Sequence, residues 1–96
     1  MGLEFEWDEK KAKMNKRKHG ITFEEASTAF ADELSITIDD PSHSDDEDRL
    51  ILIGQSKAFK TLVVVHVERR KSIRIISARK ATKHEQKFYE EYWLWI

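Results

Sequence analysis

Apolar and polar residues alternate along this chain with two different periods, and the changes of period mark its elements. Residues 3–7, Leu-Glu-Phe-Glu-Trp, alternate with period two and predict a short strand with Leu3, Phe5 and Trp7 on one face. Asp8 then stands at an N-cap position before residues 9–18, a run of good helix formers with Ala12 and Met14 as its few apolar members. Such a helix buries only a thin stripe. Gly20 is placed for the left-handed turn that closes a helix, and Lys18 and His19 occupy the last turn, where the helix dipole favours cations. Thr22 and Glu25 have the spacing of a capping box opening a second helix. In it Phe23, Ala26 and Phe30 recur at helical spacing and make a buried face, and it ends near Asp32.

Residues 34–38, Leu-Ser-Ile-Thr-Ile, return to period two and predict a strand. The stretch 39–48 is polar and acidic, holds the only proline, and reads as a loop. Three strands follow at 49–55, 61–68 and 72–80, rich in β-branched residues and joined by connections short enough for hairpins, which predicts an antiparallel meander. In the middle strand the face of Val63, Val65 and Val67 is the expected buried one, opposite Leu62, Val64, His66 and Glu68. In the last strand, strict alternation sets Arg74, Ile76, Ala78 and Lys80 against Ile73, Ile75, Ser77 and Arg79, and the register decides which set faces outward. Thr82 and Glu85 form a second capping-box spacing, opening a helix through about Trp93. The order β-α-α-β-β-β-β-α predicts an α+β fold, a small antiparallel sheet with helices packed on one face.

With 96 residues the chain has room for one domain, expected to span 1–96. Cysteine is absent, so there is no disulfide framework, thiolate metal site or thiol nucleophile. No apolar run approaches the roughly 18 residues of a membrane span, and the opening MGLEFEWDEKK lacks the apolar core of a secretory signal. A cytoplasmic location without membrane contact is expected. The net charge of −1 conceals two opposite halves: residues 1–48 carry −8 and residues 49–96 carry +7. The acidic excess sits at Asp39, Asp40 and Asp45 to Asp48, and the basic excess runs from Arg69 to Lys87. The first helix breaks this rule with Lys10, Lys11, Lys13, Lys16, Arg17 and Lys18, so two basic clusters flank an acidic middle.

The three glycines, at 2, 20 and 54, form no phosphate-cradling loop, and His19, His43, His66 and His84 lack zinc-binding spacing. Neither a metal nor a cofactor is expected. What remains is a set of arginines, lysines and histidines on a small sheet and its helices. Cations around a phosphodiester bind it and stabilise the charge that builds on its oxygens. A metal-independent ribonuclease needs little more than a base for the 2′-hydroxyl, an acid for the 5′-oxygen, and such cations. Histidine titrates in the right range, and His19 or His66 is the candidate proton-transfer group. Arg74 and Arg79 are the candidates for holding the scissile phosphate, with Lys18, Arg49, Ser77 and Lys80 as RNA-binding residues. Blander roles compete: Lys18 and His19 can simply end a helix, His66 can be an ordinary sheet residue, and the arginines can form surface ion pairs worth about 0–1 kcal/mol each. A non-catalytic module that docks a partner protein is the alternative function, and the aromatic tail Trp93-Leu94-Trp95 would suit it.

Several of these residues together resemble the BrnT toxin family. The resemblance is carried by Phe5-Glu6-Trp7-Asp8, Asn15, the run Lys18-His19-Gly20-Ile21-Thr22-Phe23-Glu24-Glu25-Ala26, then Arg49 and Gly54. Its most specific part is Ile73-Arg74-Ile75-Ile76-Ser77-Ala78-Arg79-Lys80-Ala81 with Glu85 and Tyr89, and the match runs from about residue 4 to 90. It implies a RelE-like fold and a ribonuclease toxin of a type II toxin-antitoxin system that cleaves RNA and inhibits translation. It also implies neutralisation by a BrnA-like antitoxin with a ribbon-helix-helix domain, through which alone operator DNA is reached. The positions that carry over are Lys18, His19, Arg49, Arg74, Ser77, Arg79 and Tyr89. The aromatic end, Tyr92 to Ile96, departs from the pattern.

Overall fold

A computed structural model of the chain describes residues 3–41 and 48–94. The expected acidic run Asp45 to Glu47 and the last two tail residues, Trp95 and Ile96, lie outside the described residues. Strand β1 (Glu4–Glu6) leads into helix α1 (Glu9–His19). The Asp8 carboxylate caps α1 by accepting from the Lys10 and Lys11 amides, and Gly20 closes it at φ +74°. Helix α2 (Phe23–Thr28) runs on into a 3-10 turn, Ala29–Ala31. Strands β2 (Ile36–Asp39), β3 (Arg49–Gln55), β4 (Thr61–Arg69) and β5 (Ser72–Lys80) follow, then helix α3 (Lys83–Glu91) and a last 3-10 turn, Tyr92–Leu94.

The sheet order is β1-β5-β4-β3-β2. Strands β2 to β5 form the expected antiparallel meander, but β1 pairs parallel to β5, so the sheet is mixed rather than antiparallel. The reason is connectivity. The meander leaves one edge of β5 open, and β1 reaches it with two helices intervening, so no hairpin turn imposes an antiparallel sense.

The expectation that helices cover one face also needs correction. Helices α1 and α2 pack on the face of Leu62, Val64, Ile75 and Ala78, where Ile21, Phe23, Ala26 and Ala29 complete the core. Phe5, Trp7 and Phe30 close its margin, with Phe5 edge-on to Phe30 and Trp7 edge-on to Phe23. Gly54 lets the Ala29 turn approach β3, since a Cβ there would lie 2.9 Å from the Ala29 carbonyl oxygen. Val63, Val65 and Val67, expected to be the core face, point the other way. That second face carries α3, whose first turn is gripped by Arg79, the residue in register with Val63. Ile36, Ile53 and Val63 are accordingly buried at this end, while Ile51 and Val65 further along are only half-covered.

Of the two capping boxes, the one opening α3 is complete: Thr82 Oγ1 accepts from the Glu85 amide and the Glu85 carboxylate accepts from the Thr82 amide. At α2 only the first half forms. The Glu25 carboxylate instead accepts from the Ser56 hydroxyl at 2.8 Å and lies 3.9 Å from Lys60 Nζ, tying α2 to the β3–β4 turn.

Candidate active site

A β-bulge builds the site. Strand β5 pairs with β4 as Val65↔Ser77 and then His66↔Ile75, so Ile76 has no partner of its own. Strict alternation would put Arg74 on one face and Ser77 and Arg79 on the other. The extra residue reverses the phase, and all three share the Val63-Val65-Val67 face. Across the sheet this gives three rows: Arg49, Val67 and Arg74; Ile51, Val65 and Ser77; Ile53, Val63 and Arg79. Arg49 and Arg74 thus flank Val67, about 10 Å apart by strand spacing. Glu6 of β1 stands in register with Arg74 and accepts from the Ser72 hydroxyl at 2.8 Å.

Past Glu6 the β5 edge is left to α1, and Asn15 completes it. The Asn15 Oδ1 accepts from the Ala78 amide at 3.0 Å, and Nδ2 donates to the carbonyls of Ala78 at 2.8 Å and Ile21 at 2.9 Å. One buried side chain therefore plays the part of a strand residue and pins the end of α1 to β5. It brings Lys18 and His19 beside Ser77 in a groove of about 440 Å³, whose large apolar lining residues are Met14 and Ile76. Ser77 belongs both to this groove and to the arginine face, so the two meet at that residue.

Arg79 is held by α3. Its guanidinium donates to both carboxylate oxygens of Glu85, at 2.7 and 2.8 Å. The paired hydrogen bonds hold Glu85 down to about 2, against the burial that would raise it, and raise Arg79 further. Tyr89 donates to Asp32, a carboxylate that also accepts from the amides of Gln55 and Leu34. Burial alone would raise Asp32, but these three hydrogen bonds outweigh it and lower its pKa. Burial and the bond to Asp32 push Tyr89 up to about 12. Tyr89 is thus a tie between α3 and the loop before β2.

His66 does not join the others. It lies on the α1–α2 face, fully buried, with Phe30 edge-on to its ring at 4.8 Å. Its Nδ1 is 3.3 Å from the Val64 carbonyl, which makes Nδ1 the protonated nitrogen and leaves Nε2 without a hydrogen bond. Glu68 lies 3.8 Å from Nε2, too far for one. Burial holds the imidazole below its ordinary pKa despite that carboxylate, so it stays neutral and out of reach of solvent. Lys80 also falls outside the constellation: it pairs with Leu62 and projects, exposed, on the other side of the sheet.

The geometry therefore sets Lys18 and His19 beside Ser77 in the groove, and Arg49, Arg74 and the tethered Arg79 with Ser77 on one face of the sheet. Periodicity missed Glu6, Met14 and Ile76. Glu6 enters through a long-range parallel pairing, and Ile76 through the bulge, neither of which leaves a local signal. Met14 had one: it is a large apolar residue in a helix otherwise almost wholly charged, and it is 67% exposed. The arrangement can bind a phosphodiester between guanidinium and ammonium groups, place an imidazole and a hydroxyl beside it, and hold an apolar group in the groove.

In structure the chain is similar to the Brucella abortus ribonuclease toxin BrnT, known from a 1.1 Å crystal structure, with a TM-score of 0.61 and 24% sequence identity over 85% of this chain and 100% of that one. No curated protein sequence matches the chain. The chain matches the family model of the BrnT ribonuclease toxin of type II toxin-antitoxin systems over residues 7–85. Matched over most of its length, the chain belongs to the BrnT family of ribonuclease toxins of type II toxin-antitoxin systems.

Proposed function

We propose that this protein is a metal-independent endoribonuclease of RelE-like architecture that cleaves RNA at the face of Arg49, Arg74 and Ser77, and so inhibits translation in the cytoplasm. The observation that carries the reading is the bulge at Ile76, which gathers Arg74, Ser77 and Arg79 on one face, with Ser77 also lining the groove of Lys18 and His19. In the reaction His19 takes the proton of a 2′-hydroxyl. The freed oxygen attacks phosphorus, the bond to the 5′-oxygen breaks, and that oxygen takes a proton from water while His19 returns its own to solvent, giving a 2′,3′-cyclic phosphate and a 5′-hydroxyl. Arg49, Arg74 and Lys18 supply the positive charge that stabilises the intermediate, so no metal is called on. Ser77 donates a hydrogen bond to a phosphate oxygen. Arg79 adds charge that Glu85 partly neutralises. His66, enclosed beneath Phe30, takes no part.

The partner is a BrnA-like ribbon-helix-helix antitoxin that neutralises the toxin and alone carries it to operator DNA. Cleavage of a defined RNA in the presence of EDTA tests the enzyme. The expected result is a cyclic-phosphate product, lost with Arg74→Ala and slowed about 100-fold with His19→Ala. Variants as toxic to growth as the parent would overturn the assignment. A second reading, a docking module without catalysis, draws on the exposed apolar strip of Leu34, Trp93 and Leu94, where Trp93 donates to the Leu34 carbonyl. It is favoured if the protein leaves RNA intact with and without divalent metal yet still binds the product of the adjacent gene.

A further inference from the structure

The groove at the end of α1 is built differently from the arginine face it opens onto. The face offers charge. The groove offers an apolar floor, Met14 and Ile76, with Lys11, Arg17 and Lys18 around it and no carboxylate among its lining residues. Both floor residues are set there against ordinary preference. Met14 is two-thirds exposed on a helix whose other outward positions are charged, so it contributes little to the core. Ile76 is the bulged residue of β5, unpaired with β4 and only half-buried, where its neighbours Ile73 and Ile75 are buried. Bulges of this kind re-aim a side chain at a site.

We propose that this groove is a nucleobase subsite, taking one unpaired base of the RNA strand next to the scissile phosphate and giving cleavage its base preference. The inference rests on the ribonuclease reading above and adds the substrate feature that the site recognises. A base is a flat apolar body with polar edges, attached to a chain of phosphates. Met14 and Ile76 fit its faces, Met14 with a polarizable thioether on an adaptable side chain. Lys11, Arg17 and Lys18 fit the phosphates on either side of it. The charge complementarity commits the groove to a polyanion. A peptide side chain would use the floor but leave three cations unanswered.

The test uses the full chain and a set of short single-stranded RNAs carrying each of the four bases, or an abasic nucleotide, at the positions flanking the cut. Met14→Ala changes an exposed residue and preserves the fold. It is expected to raise KM by about tenfold with little change in kcat, and to flatten the preference among the four bases. The abasic nucleotide at one flanking position should cost the wild-type protein a similar factor and cost Met14→Ala nothing more. Ile76→Ala should behave likewise, with thermal unfolding read alongside to separate a lost contact from a lost fold. If both variants keep the parent's KM and base preference, or no abasic position matters, the subsite is wrong while the ribonuclease reading stands. If the parent protein cleaves and binds none of the RNAs, both fail. Unchanged RNA kinetics with weakened antitoxin binding would make the groove a protein contact and overturn the proposal.

Discussion

Asn15 shows how much a single side chain decides in a small protein. Its amide serves three backbone groups, at Ala78 and Ile21, that would otherwise be buried without partners. Asn15→Ala is expected to destabilise the fold by about 3 kcal/mol in urea denaturation, since each buried group left unpaired costs about 1–3 kcal/mol. Asn15→Asp keeps the acceptor but sets a carboxylate against two carbonyl oxygens. It should be at least as damaging at neutral pH and recover partly on acidification, when a protonated carboxyl can donate one bond again. Phe59 makes the opposite case. It sits at φ +63° in the β3–β4 turn and is 82% exposed, so it bears backbone strain with little burial in return. Phe59→Gly should stabilise the protein by about 1 kcal/mol, seen as a rise in melting temperature. His66 was legible as a titratable residue near neutrality, but not as a buried one. Its face depends on which side of β4 the helices choose, and alternation is silent on that.

Among the elements, α3 is tied on by few contacts, and those contacts titrate. Glu85 has a folded pKa of about 2 against an ordinary 4.5. A depressed carboxylate lends stability that is fully present above its unfolded pKa and is lost as pH falls through its folded one. The hold of α3 on β5 should therefore weaken between about pH 4.5 and pH 2. Glu85→Gln, which cannot pair ionically with Arg79, should be less stable at neutral pH and show a shallower loss across that window, measured by chemical denaturation at several pH values. Strand boundaries at β3 and β5 follow the apolar runs closely, because their β-branched density leaves no competing helix. The start of α2 follows its threonine cap. Yet Glu25 left its capping box for Ser56 and Lys60, because a longer-range partner was within reach once the sheet had formed.

At the scale of the whole molecule, the near-neutral total says little about the surface an RNA would meet. Five cations, Arg49 and Arg74 on the face and Lys11, Arg17 and Lys18 around the groove, serve the strand, and single-strand binding should weaken with salt by about 0.7 in log K per log unit for each phosphate they neutralise. A slope of about −3.5 is expected from fluorescence titrations, its magnitude falling by about 0.7 with Arg74→Ala. Acid should also act through the core. His66 is held neutral below its ordinary pKa of 6.5, so the unfolded chain binds its proton first and stability falls as pH drops below about 6.5. His66→Phe should remove that part of the slope. By itself the sequence determined the elements, their order, the helix caps and the two halves of opposite charge, since each of these is written in neighbouring residues through period, propensity and composition. The tertiary structure decided which face each strand turned to the helices, that β1 would run parallel to β5, and that Arg74, Ser77 and Arg79 would act from one side. Those outcomes rest on a single unpaired residue in one strand and on contacts spanning some sixty positions, such as Asn15 with Ala78, whose energies exist only after the chain has closed on itself.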